Sequence, residues 1–192
     1  MKKLLLLVAV IFINQNSFSQ QKTVSLNIAK FNSFDEKYRT SADSAIKIAN
    51  ILLNSQEFRD SLIKYKFSCK NYNESTCEGT ISGKVALDSL YRKKNVVLTL
   101  NLLNEGGSFG DSRKDVYEIN SHFITLINDD NVLPFAYIYA YHICHEYMHI
   151  VGFYHFQKVK RRVRNLDIAE QTGWTAYYIL DKWYKEKKKL IK

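Results

Sequence analysis

The sequence predicts a single α+β domain: a small twisted sheet, a buried helix that carries the chemically distinctive residues, and a C-terminal helix. Three observations support this. Apolar residues alternate with polar ones at Val24, Leu26 and Ile28, and run together in VVLTLNLL (96–103), as half-buried and buried strands do. They recur at three- and four-residue spacing over two long stretches. Breakers are scarce, with one proline and seven glycines in 192 residues, which suits a domain rich in regular structure. Strands first and buried helices behind them make an α+β architecture.

The N-terminus reads as a secretory signal peptide over residues 1–19. Basic MKK precedes an apolar run from Leu4 to Ile13, and Ser17 and Ser19 put small residues before a cleavage point at Gln20. The run is too short for a spanning helix, and no cysteine stands nearby to carry a lipid. The expected localisation is secreted or periplasmic, with no transmembrane segment after signal cleavage. Residues 20–192, about 173 in number, are enough for one domain with a core. No linker or internal repeat divides them.

After the first strand, Ser41 is a good N-cap. Ala45, Ile48, Ala49, Leu52 and Leu53 then predict a helix to about Asn54, with continuation through Phe58 and Leu62 left open. A shorter helix is expected from Ser82 to Arg92, and a buried strand from Val96 to Leu103. Asn104 to Asp115, rich in Gly and Asp, reads as a loop before a short edge strand, Val116 to Asn120. Pro134 suits the first turn of the next helix. That helix runs through Tyr141 and His145 to Gly152 and is apolar on almost every face. Ile168, Thr172, Ala176, Ile179 and Trp183 form the stripe of the last helix.

Cysteine and charge add context. Cys69 and Cys77, eight apart in a polar segment of an exported chain, are expected to form a local disulfide. Cys144 sits among apolar residues and reads as a buried thiol. The net charge is +9, and loss of Lys2 and Lys3 with the leader leaves +7. Residues 156–192 hold eleven Lys or Arg against four Asp or Glu, concentrated in KVKRRVR and KEKKK. This basic C-terminal region could contact an anionic surface or simply form a solvated helix face. Export argues against nucleic acid as a partner.

Within the buried helix stands HEYMHIVGFYH, with His145, Glu146, His149, Gly152 and His155 spaced H-E-x-x-H-x-x-G-x-x-H. Residues four apart share a helix face, so His145 and His149 project to a common point. Glu146, one step round, flanks that point as a base for a metal-bound water would. Gly152 can take the left-handed conformation that ends a helix, and the returning chain can then offer His155. Three neutral imidazoles with one open position make the inventory of a catalytic zinc site. His142, three residues before His145, reads as a hydrogen-bonded core histidine or as a partner behind the site.

HEYMHIVGFYH resembles the extended zinc signature of the metzincin metallopeptidases. The resemblance implies a metzincin-like zinc metallopeptidase domain, with zinc on His145, His149 and His155 and Glu146 as general base and acid. A looser likeness to small secreted bacterial metzincin-like proteins rests on Asn54-Ser55-Gln56-Glu57-Phe58, at the end of a helix ahead of the site. Metzincins carry a methionine in a turn beneath the zinc. Met1 and Met148 cannot serve, so either another residue around Asp167 to Gly173 fills that space or the likeness stops at the helix. Metzincins also pair an extended peptide with an edge strand beside the zinc, which would here be Val116 to Asn120. A tyrosine stabilises the oxyanion in some of them, and Tyr154, Tyr177 and Tyr178 are the candidates.

The expected function is a secreted zinc endopeptidase acting on a protein or peptide substrate. The alternative is a catalytically silent, zinc-stabilised binding protein associated with an anionic cell-envelope surface. A zinc hydrolase acting on a non-peptide amide would use the same residues.

Overall fold

The computed structural model describes residues 22–34, 36–69, 79–103, 110–122, 133–155 and 167–190. In chain order the elements are β1 (Ser25–Asn32), α1 (Glu36–Asn54), α2 (Gln56–Leu62), β2 (Lys66–Ser68), β3 (Thr80–Ser82), α3 (Gly83–Leu90), β4 (Asn95–Leu103), β5 (Gly110–Arg113), β6 (Val116–His122), α4 (Phe135–Ile150) and α5 (Ile168–Leu190). Four strands form a sheet in the order β1-β4-β6-β5, and β2 pairs with β3 in a separate ribbon. Both β1 and β6 run parallel to β4, whereas β5 is antiparallel to β6 and forms one edge. The chain is thus a mixed α+β fold with a small sheet. No helix among the described residues is long and apolar enough to cross a membrane.

Alternation along the strands decides which face the helices cover. Leu26, Val96, Leu98, Leu100, Leu102 and Ile119 are buried on one side, while Asn27, Val97 and Glu118 on the other are exposed. Helices α1, α4 and α5 contribute Ala45, Leu52, Ile143, Met148, Ile168 and Leu180 to the same core. Burying each large aliphatic side chain stabilises the fold by roughly 1.5–3 kcal/mol. On the outer face a polar row crosses the whole sheet. Asn32 donates to Asn101 at 2.9 Å, Asn101 to Asn120 at 2.7 Å, and Asn120 to Asp111 at 2.8 Å. A one-residue slip of any strand would break this row and invert its buried set, so the register is doubly fixed.

Helix α1 also protects the free edge of β1. The amide of Asn50 accepts from Leu26 N–H at 2.7 Å and donates to Leu26 C=O at 2.8 Å. Asn54, one turn on, does the same for Val24 at 3.0 and 2.7 Å. Two side chains thereby replace a missing neighbouring strand.

The structure departs from the sequence reading in several places. Helix α1 begins at Glu36, ahead of Ser41, but ends at Asn54 as expected, and a separate helix follows Ser55. Ser55 is extended, and its hydroxyl accepts Phe58 N–H as the N-cap of α2. The segment expected as a loop contains β5, which lacks an apolar stripe because it is an edge. Consequently Val116 to Asn120 is not an edge: β6 is flanked on both sides, by β4 and β5. The expected Cys69–Cys77 disulfide is not formed. Cys69 is a buried free thiol, and its segment is already closed by β2–β3 pairing and by Cys69 N–H donating to Gly79 C=O. Cys77 lies outside the described residues, as do residues 1–19, expected as a leader, and the KVKRRVR run.

Candidate metal centre

Helix α4 ends where the motif requires it to end. Gly152 has φ of 108°, a conformation that other residues adopt at a cost. Its N–H donates to His149 C=O and Phe153 N–H donates to Met148 C=O, closing the last turn. The chain reverses and brings His155 back against the helix.

His145, His149 and His155 then converge. Nε2 of His155 lies 3.3 Å from Nε2 of His145 and 3.1 Å from Nε2 of His149. All three ligand atoms fall within 4.8 Å of one another, so the cluster could hold one metal ion. His149 is buried, His145 half-buried and His155 exposed, which leaves the cluster open to solvent on one side.

The outward-facing side of each ring is tied down. Nδ1 of His149 donates to Phe153 C=O at 2.6 Å. Nδ1 of His155 faces Asp167 Oδ2 at 3.1 Å, and the Ala169 carbonyl accepts from the ring of His145. With Nδ1 as donor, a neutral imidazole presents a bare lone pair at Nε2. Lone pairs 3.1 Å apart repel unless a cation lies between them. The donor set therefore suits a metal ion.

Electrostatics favour the neutral form at two of the three imidazoles. Burial, together with the neighbouring imidazoles, holds His145 well below its ordinary pKa, and burial lowers His149. His155 is raised by its hydrogen bond to Asp167. Glu146 is 2% exposed, and burial pushes its carboxyl up to about 7, against a hydrogen bond from Ser112 that lowers it. Its Oε1 lies 4.0 Å from His145 Nε2 and 3.7 Å from His142 Nδ1. His142 is buried, with Nε2 3.0 Å from Ser121 Oγ, and burial drives its pKa down to about 3. It is thus both a hydrogen-bonded core histidine and a neighbour of Glu146.

The stretch from Asp167 to Gly173 packs beside His145 and His155. Asp167 and Ala169 hydrogen-bond these two rings, and Gly173 lets α5 approach closely: a Cβ there would lie 3.2 Å from His145 Nδ1. Tyr177 and Tyr178 join Trp174 and Tyr141 in an aromatic cluster, and Tyr154 is half-buried beside His155.

Sequence reasoning missed Ser112, whose hydroxyl reaches Glu146 O at 2.7 Å and Glu146 Oε2 at 2.9 Å. The only local signal was the two-residue turn Lys114-Asp115, with Asp115 at φ of 59°, which marks a hairpin only weakly. No family model matches the chain, and comparison with curated proteins and with solved structures likewise finds no match.

Proposed function

We propose that the protein is an exported zinc-dependent endopeptidase. The observation that carries this reading is the convergence of three Nε2 atoms beside a buried carboxylate with one oxygen turned towards them. Tetrahedral zinc with nitrogen ligands at about 2.0–2.1 Å would set those nitrogens roughly 3.3–3.4 Å apart, close to the 3.1 and 3.3 Å seen. His145, His149 and His155 would hold it, leaving a fourth position open towards solvent.

A zinc ion there would supply Lewis acidity to a water and to the substrate carbonyl. Glu146 takes a proton from the attacking water at Oε1 and later returns it to the leaving amine. A carboxyl raised to about 7 by burial sits near the value at which one group can do both, and a dication beside it would draw that value down. Strand β5 is an edge of the sheet among the described residues and touches Glu146 through Ser112, so an extended peptide could pair along it. That strand takes the role first expected of Val116 to Asn120.

The same site would serve a non-peptide amide. A zinc-stabilised binding protein on an anionic surface is the second reading, favoured by the exposed lysines Lys185 and Lys187 near the end of α5. A peptide-library cleavage assay on the zinc-loaded protein separates these readings. The wild type should cleave, and Glu146→Gln should retain zinc while losing turnover by at least 100-fold. Full zinc occupancy with no cleavage of any peptide would favour the binding protein.

A further inference from the structure

We propose that Ser112 is a positioning residue that sets the Glu146 carboxylate for proton transfer, an inference that rests on the reading of Glu146 as proton carrier. The Ser112 hydroxyl spans two oxygens of one residue, the main-chain carbonyl at 2.7 Å and Oε2 at 2.9 Å. Its single proton is shared between them. The contact ties the end of a three-torsion side chain back to its own helical turn. With Oε2 held aside, Oε1 is the oxygen left on the imidazole side, 4.0 Å from His145 Nε2.

The strand is shaped to deliver this hydroxyl. Asp111 pairs with Asn120 but Arg113 pairs with Val116, so the register shifts across Ser112. Such irregularities re-aim side chains and recur beside active sites. Both flanks are anchored. Asp111 ends the cross-sheet asparagine row, and Asp115 N–H donates to Ile150 C=O at the end of α4 at 3.0 Å. Ser112 thus bridges the sheet edge and the site helix with little freedom of its own.

The test compares wild type, Ser112→Ala, Ser112→Thr and Glu146→Gln, each loaded with zinc, with cobalt(II) forms for spectroscopy. Ser112→Ala should lower kcat roughly 10- to 100-fold, the range for a lost partner of a site group, with KM little changed. Zinc affinity and the cobalt(II) absorption spectrum should match wild type, and Ser112→Thr, which restores a hydroxyl, should recover most of kcat. Acetohydroxamate binding, followed by calorimetry, supplies a readout that needs no turnover. It should weaken in Ser112→Ala as it does in Glu146→Gln. If the wild type cleaves no peptide yet hydroxamate affinity falls in both variants, the positioning role stands and the peptidase reading fails. Wild-type kcat and hydroxamate affinity in Ser112→Ala would overturn the proposal. So would a loss of kcat accompanied by altered zinc affinity or cobalt spectrum and not restored by threonine, which would make Ser112 a structural strut.

Discussion

One carboxylate, that of Asp167, holds His155 Nδ1 at 3.1 Å through Oδ2 and accepts Glu170 N–H at 3.0 Å through Oδ1. It therefore caps α5 and orients one of the three converging imidazoles at once. Asp167→Asn should keep the cap, since Asn and Asp serve equally there, but lose the negative charge behind His155. Zinc affinity, measured by competition with a chromophoric chelator, should fall about 10- to 100-fold with little change in melting temperature. Asp167→Ala should lose about 1 kcal/mol of stability as well.

The asparagine pair beneath β1 makes a second prediction. Each amide serves both backbone groups of one residue, Leu26 in β1 for Asn50 and Val24 just before it for Asn54. Asn50→Ala should strip both partners from Leu26, whose side chain is 1% exposed. A loss of about 1–3 kcal/mol in urea unfolding is expected, with the slope unchanged. A leucine at 50, nearly isosteric, should be no better, because the cost lies in the orphaned backbone groups.

The cluster was legible and its supports were not, for a physical reason. His145, Glu146, His149, Gly152 and His155 are related by helical spacing and one turn, both local to the sequence. Helix α4 was equally readable from its all-round apolar composition, and β4 from VVLTLNLL. Strand β5 is half polar and half glycine-serine, exposed or half-buried at every residue. It exists because β6 offers backbone partners, which no pattern within 110–113 records. Ser112 was hidden with it, and the edge was assigned to β6 instead. Asp167 reaches His155 only after an intervening segment, so its contact is set by how α5 docks.

Glu57 carries a pH dependence. Lys182 donates to Oε1 at 2.8 Å and Trp183 Nε1–H to Oε2 at 3.0 Å, joining α2 to α5. The hydrogen bond from Lys182 is the main cause that holds the Glu57 carboxyl below 4.5. A lowered carboxylate contributes stability above its unfolded-state value and loses it as pH falls through the folded value. The pair is exposed and screened by solvent, so the effect on stability is small. Glu57→Gln should melt slightly below wild type at neutral pH, and the two curves should converge as the pH falls below 4.5. A difference that persists at the acid end would point to lost packing and not to charge.

Zinc-edge X-ray absorption on the purified, zinc-loaded protein tests the central claim most directly. The account predicts about one zinc per chain, with nitrogen and oxygen neighbours at about 2.0–2.1 Å and outer-shell scattering from three imidazole rings. His149→Ala should remove one ring from that signal. A sulfur neighbour at about 2.3 Å, fewer than three imidazoles, or zinc that fails to reach one per chain would contradict it.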